Sequence, residues 1–172
     1  PVSYQTIRQI SMCQYELGNY TESIQAMKQL LHQFPNNIEL IYSIAIINLD
    51  KLENPEEALL YFTFGKDRFS DKMSSIYGPN FKLIMDPTVA PDIYYDLFYG
   101  RARTNMILQH YKEAASDCNW AIYLRPQQGE PYKIRANANV QLNRFGSICS
   151  DIRQAKKLGV ADIADLERKY CR

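Results

Sequence analysis

The chain has 172 residues and a mass of 20.0 kDa, enough for one compact domain or one short run of repeats. Apolar residues make up 46% and charged residues 23%, which excludes a disordered tail, a collagen and a disulfide-dense mini-protein. Twenty Lys and Arg against 19 Asp and Glu leave a formal charge of +1, so no global basic field is available to hold nucleic acid.

In chain order, the first signal is helical spacing over Ile7, Ile10, Tyr15 and Leu17. Leu17-Gly18-Asn19-Tyr20 reads as a tight turn. Asn-Tyr-Thr-Glu at 19–22 reads as a helix start, with a polar cap and an acid facing the positive end of the dipole. The apolar stripe resumes at Ile24, Met27, Leu30 and Leu31 and stops at Pro35, which has no N–H to continue a helix. Ile38 to Leu49 is the greasiest stretch. Glu39, Ser43 and Asn48 break it, and it falls short of the ~18 apolar residues a membrane helix needs. Leu52-Glu53-Asn54-Pro55 is the next turn, and Asn-Pro-Glu-Glu at 54–57 the next helix start.

Asp71 to Val89 then breaks the rhythm. It mixes Gly78, Pro79 and Pro87 with apolar Ile76, Tyr77, Phe81, Leu83, Ile84 and Met85, too apolar for a solvated loop. It reads either as a short helix or turn packed over its neighbours or as a partner-contacting element. Beyond it, Phe98, Ala102 and Met106 mark a helix, Leu108-Gln109-His110-Tyr111 a turn, and Ala114, Cys118, Ala121 and Ile122 a second helix ended by Pro126. Leu142-Asn143-Arg144-Phe145 repeats the turn. Val160 to Tyr170 reads as a closing helix with Ile163, Leu166 and Tyr170 on one face.

The four turns are spaced by 35, 56 and 34 residues from Leu to Leu, a basic period of about 34 with one block inserted. Six residues before the first, third and fourth Leu stand Ser11, Ala102 and Ala136; six after all four stand Ser23, Ala58, Ala114 and Ile148. Small residues at these points let two helices approach closely. Each period is one helix pair that cannot bury its apolar face alone, so neighbours must stack and the last face needs a lid.

This spacing of small, Leu, aromatic, small and Pro resembles the tetratricopeptide repeat. Tyr95, Phe98, Tyr99, Gly100, Arg101, Ala102, Tyr111, Ala114, Ala121 and Pro126 make the third unit the nearest match. The ending is similar to that of small bacterial repeat proteins of this kind. The resemblance implies an all-α fold, an α-solenoid in a right-handed superhelix of about four helix pairs plus a C-terminal capping helix. Repeats would fall at about 4–37, 38–70, 95–128 and 129–159, with an insertion at about 71–90 and a cap at about 160–171. It implies a soluble bacterial protein of cytoplasm or periplasm. No basic start with an apolar stretch marks a signal peptide, and the opening at Pro1 reads as a processed or trimmed segment.

By the same resemblance, the first helices of successive repeats line a concave groove. Counted from the anchors, Arg8, Met12, Tyr15, Tyr42, Ile46, Tyr99, Arg103, Met106, Lys133 and Asn137 are its candidate partner-binding residues. The implied function is a non-enzymatic interaction module that takes a peptide or protein segment there. The alternative is a structural scaffold subunit of a larger assembly, such as one at the cell envelope, that meets its partners through its flanks and the 71–90 insertion. The expected partner is a protein or peptide, not nucleic acid, with no direct membrane insertion and no cofactor. Some members of the family clamp acidic chaperone tails with Lys, Arg and Asn. Those positions here hold Arg8, Met12, Ser43, Asp96 and Gly100, of which only Arg8 could contribute, so apolar or aromatic anchors are expected instead.

Nothing in the sequence points to catalysis or to a metal. His32 and His110 stand far apart in the repeat frame, and no phosphate loop, nucleophile elbow or zinc motif occurs. Asp50, Asp117 and Asp151 are scattered over the helices. Cys13, Cys118, Cys149 and Cys171 lack metal-ligand spacing. The first three fall in helical patterns and read as buried free thiols, with a Cys118–Cys149 bridge as the alternative.

Overall fold

The computed structural model describes residues 3–171, which form nine α-helices, three short 3-10 turns and no strand. The chain divides into two compact units at Lys72/Met73. The first holds α1 (Tyr4–Glu16), α2 (Tyr20–Gln33), α3 (Ile38–Asp50) and most of α4 (Pro55–Tyr77). The second holds the end of α4, α5 (Asp92–Ile107), α6 (Tyr111–Leu124), α7 (Glu130–Gln141), α8 (Ile148–Lys157) and α9 (Ala164–Tyr170). In the first unit α1 packs on α2 and α2 on α3; in the second, each helix from α5 to α8 packs on the next.

The turns inside the pairs share one backbone device. Gly18, Glu53, Gln109 and Asn143, each directly after the turn Leu, are left-handed at φ 80°, 49°, 60° and 55°. The next N–H around the corner then reaches back to the helix. Asn19 N donates to Gln14 O at 2.8 Å, His110 N to Asn105 O at 2.8 Å and Arg144 N to Asn139 O at 2.9 Å. These bonds satisfy carbonyls that a helix end leaves open. Gly159 at φ 82° repeats the device after Leu158, turning the chain from α8 toward α9.

The helix starts and stops follow the sequence signals. Asn54 caps α4 by accepting from Glu57 N at 3.2 Å. Asn37 caps α3 by accepting from Leu40 N at 3.1 Å. α2 and α6 both end two residues before their proline, Pro35 and Pro126. No proline stands at the equivalent point of α4, where Ser70 sits instead. That helix therefore runs on to Tyr77 and stops at the left-handed Gly78 before Pro79.

Small residues hold the pairs together as their spacing requires. Ser11 and Ser23 are buried between α1 and α2, with hydroxyls 3.2 Å apart and Ser23 Oγ donating to Ser11 O at 2.8 Å. Ala102 and Ala114 are fully buried in the α5–α6 pair. In the first unit Ile7, Ala26 and Leu30 form one apolar cluster, and Ile24, Ile44 and Ile47 another. Each large side chain so buried contributes about 1.5–3 kcal/mol. In the second unit Ala136, Ile148, Ile152 and Ala155 form a cluster covered by Val160, Ile163, Leu166 and Tyr170, so α9 closes that face.

Two expectations about cysteine fail. Cys149 is bridged to Cys171 and not to Cys118: one is the second residue of α8, the other follows α9, and closing the lid brings their Cα atoms to 5.2 Å. Cys13 lies on the exposed side of α1, so only Cys118 is a buried free thiol. Burial pushes the Cys118 thiol up and keeps it protonated at neutral pH.

Candidate functional site

The candidate residues lie on the first helix of each pair. In the first unit, a cleft of about 190 Å³ lies between α1 and α3. Met12, Met27, Leu30 and Leu40 supply its apolar lining, and Arg8 and Glu39 its charged residues. Arg8 and Met12 are exposed, so the cleft opens to solvent. Tyr15 is placed differently: it packs on the Ile24, Ile44, Ile47 cluster with its ring 5.4 Å from that of Tyr20. Tyr42 faces Phe62 of α4 at 6.2 Å, and Ile46 is half-buried on α3.

In the second unit, Tyr95 and Tyr99 stack along α5 at 5.8 Å with rings 7° from parallel. The Arg103 guanidinium lies 5.9 Å from the centre of the Tyr99 ring. Three side chains one helical turn apart thus make a continuous strip of two rings and a cation. Desolvation pushes the Tyr95 phenol up and holds the Asp96 carboxyl above its ordinary value, with Asp92 adding to the latter effect. Met106 packs beside Ala114, Ala115 and Ala138 and so serves the core. On α7, Lys133 donates to Ala161 O at 3.1 Å, tying the approach to α9, and Asn137 is half-buried.

The structure also gives work to residues that sequence reading left scattered. Asp117 is fully buried and accepts from Arg101 Nε at 2.9–3.0 Å, from the Arg101 Nη2 and from Asn105 Nδ2 at 2.9 Å. Asp151 accepts from Arg135 Nε at 2.9 Å and Nη2 at 2.6 Å. Both pairs join the two helices of one repeat, and 16 residues separate each Arg from its Asp. These acids are structural staples.

The segment after α4 is pinned to α6. Phe81 stacks with Trp120 at 5.9 Å, and Tyr123 OH donates to Met85 O. Arg125 donates to Pro87 O at 3.1 Å, to Ala90 O at 2.5 Å and to the Asp92 carboxylate at 2.6 Å. The strap therefore buries Phe81, Met85 and Ala90, yet leaves Leu83, Ile84 and Val89 exposed at 85%, 61% and 67%.

The fold is that of a TPR-like helical repeat protein, all-α and built of consecutive helix pairs. The chain is similar to the crystal structure of MamA protein, with a TM-score of 0.69 over 90% of this chain and 72% of that one, at 14% identity. A MamA structure designated AMB-1 aligns over 95% of this chain and 78% of its own, with a TM-score of 0.67 and 13% identity. TTC0263, a thermophilic TPR protein in Thermus thermophilus, aligns over 98% and 97% at 17% identity and a TM-score of 0.40. At these identities the likeness to the two MamA structures is one of fold. No protein-family model matches the chain, and no curated protein matches it in sequence. Among the described residues, no helix is long and apolar enough to cross a membrane.

Proposed function

We propose that the protein is a non-enzymatic interaction module that takes a peptide or protein segment along the first helices of its pairs. The observation that carries this reading is the cleft between α1 and α3, where methionine and leucine side chains lie beside two residues of opposite charge, Arg8 and Glu39. An apolar anchor with polar neighbours is the pattern a bound segment exploits. Methionine suits such a surface, because it re-packs around different shapes at low cost. In the second unit the Tyr95–Tyr99–Arg103 strip offers flat contact area of the kind enriched in binding hot spots.

A second reading has its own observation. The exposed Leu83, Ile84 and Val89 give the strap apolar surface with no cover, which suits a scaffold that meets partners through its flank.

Panning a random peptide library against the protein separates the two. Under the first reading, enriched peptides carry a large apolar residue, and Met12→Asp or Leu40→Asp weakens them at least tenfold. Enriched peptides that ignore both substitutions but are lost in Leu83→Asp favour the second reading and overturn the first.

A further inference from the structure

A concavity in the second unit is lined from α6 and the strap rather than from the first helices of the pairs. Lys82, Ser116, Asn119, Trp120 and Tyr123 line an open cleft of about 290 Å³. Positions 116, 119, 120 and 123 share one face of α6 by helical spacing, and Lys82 comes from the strap. Trp120 is held in place by stacking with Phe98 at 5.5 Å and with Phe81 at 5.9 Å. Tyr123 gives its hydroxyl proton to Met85 O, so it offers the cleft mainly a ring.

The polar groups left for a ligand are donors. Lys82 Nζ lies 5.0 Å from the centre of the Trp120 ring, and no acidic side chain lines the cleft. Asn119 Oδ1 accepts from Arg135 Nη1 at 2.7 Å, which fixes the carboxamide and leaves its NH2 group free to donate. Ser116 adds a hydroxyl. An ammonium, an amide NH2 and a hydroxyl beside aromatic walls define an anion site with an apolar side.

We propose that this cleft binds a single carboxylate borne on a flat or apolar body. One lysine matches one negative charge. Arg135, which bonds Asn119, is already neutralised by Asp151, and the lining itself holds no second cation for a phosphate dianion. The carboxylate belongs either to a free small molecule or to an acidic side chain next to an aromatic one in a protein segment. The chemistry of recognition is the same for both. The proposal does not depend on the α1–α3 cleft and stands if that reading fails.

Trp120 is the only tryptophan of the chain, so its indole N–H gives one assigned signal at the cleft itself. Benzoate, its neutral twin benzamide, and an acetylated and amidated Phe-Glu dipeptide are each titrated into the full chain while that signal is followed by NMR. The expected result is a saturable shift with benzoate or the dipeptide that is at least fivefold weaker for benzamide and at least fivefold weaker in Lys82→Met. Lys82 is exposed, so its loss leaves the fold intact. Asn119→Asp keeps an acceptor for Arg135 but replaces the NH2 donor by a negative charge, and is expected to weaken binding likewise. Tighter binding of benzoate assigns the site to a free carboxylate, and tighter binding of the dipeptide to a protein segment. No saturable shift with either probe, or a loss below fivefold for benzamide or for Lys82→Met, overturns the proposal.

Discussion

Gln109 sits at φ 60° and carries a full side chain there. A residue with a Cβ costs about 1–2 kcal/mol in this region, and glycine costs far less, although its freer unfolded chain returns about 0.5–1 kcal/mol of that gain. Gln109→Gly is therefore expected to stabilise the protein by roughly 0.5–1 kcal/mol, while Gly18→Ala at φ 80° destabilises it by about 1 kcal/mol. Urea denaturation midpoints check both; a shift of the same sign in the two variants refutes the turn assignment. At this scale the sequence displayed the turns but not their cause. The Leu-x step recurs visibly, whereas Glu53, Gln109 and Asn143 carry no glycine to announce a left-handed corner. Propensity was overridden there by the geometry of two packed helices. Arg8 and Met12 sit at open positions of a strong helical period, and both line the cleft between α1 and α3. Tyr15 and Met106 share that period and also pack, half-buried, against neighbouring clusters, which one-dimensional spacing cannot reveal.

At the scale of the element, helix pairs in the second unit are held by repeated ion pairs as well as by small residues. Arg101 with Asp117, and Arg135 with Asp151, occupy equivalent places one repeat apart. Removing one member strands a buried charge, so Asp117→Ala is expected to cost about 3–5 kcal/mol. Replacing both by apolar residues, as in Arg101→Met with Asp117→Leu, is expected to cost well under the sum of the single changes. Thermal or urea unfolding of the four-member cycle measures the difference; additive losses would argue against a coupled pair. The pairing left a trace in the sequence, an Arg with an Asp 16 residues on, twice, at the repeat step. Its meaning emerges only when both helices are seen to face each other. The length of α4 has a simpler cause. Where Pro35 and Pro126 stop their helices, Ser70 does not, and the helix continues into the block that breaks the period. That block mixes inward and outward apolar residues, so composition alone could not assign it to packing or to contact.

The whole molecule is organised as two compact units of the same construction, and the second is closed by α9. Gly129 shows how tight that closure is. A Cβ there would come within 2.5 Å of Val160 Cγ2 and 3.0 Å of Leu158 Cβ, so the corner after α8 is seated directly on the start of α7. A helix of seven residues does not persist on its own, and α9 depends on these contacts, on the Lys156–Glu167 ion pair at 2.6 Å and on the Cys149–Cys171 cross-link. The cross-link spans 22 positions, for which chain entropy gives about 3 kcal/mol of stabilisation as a ceiling. Reduction is accordingly expected to speed amide exchange over 163–171 while α5 and α6 keep their protection; unchanged exchange across that stretch would mean packing alone holds the lid. From this cross-link follows a dependence on surroundings. Where thiols are kept reduced, α9 loosens from α8 and presents Lys156, Lys157, Arg168 and Lys169 to proteases. Under oxidising conditions it stays fastened, and even a nicked chain keeps both pieces. A brief trypsin digest, run with and without reductant, would thus report the redox history of a given preparation.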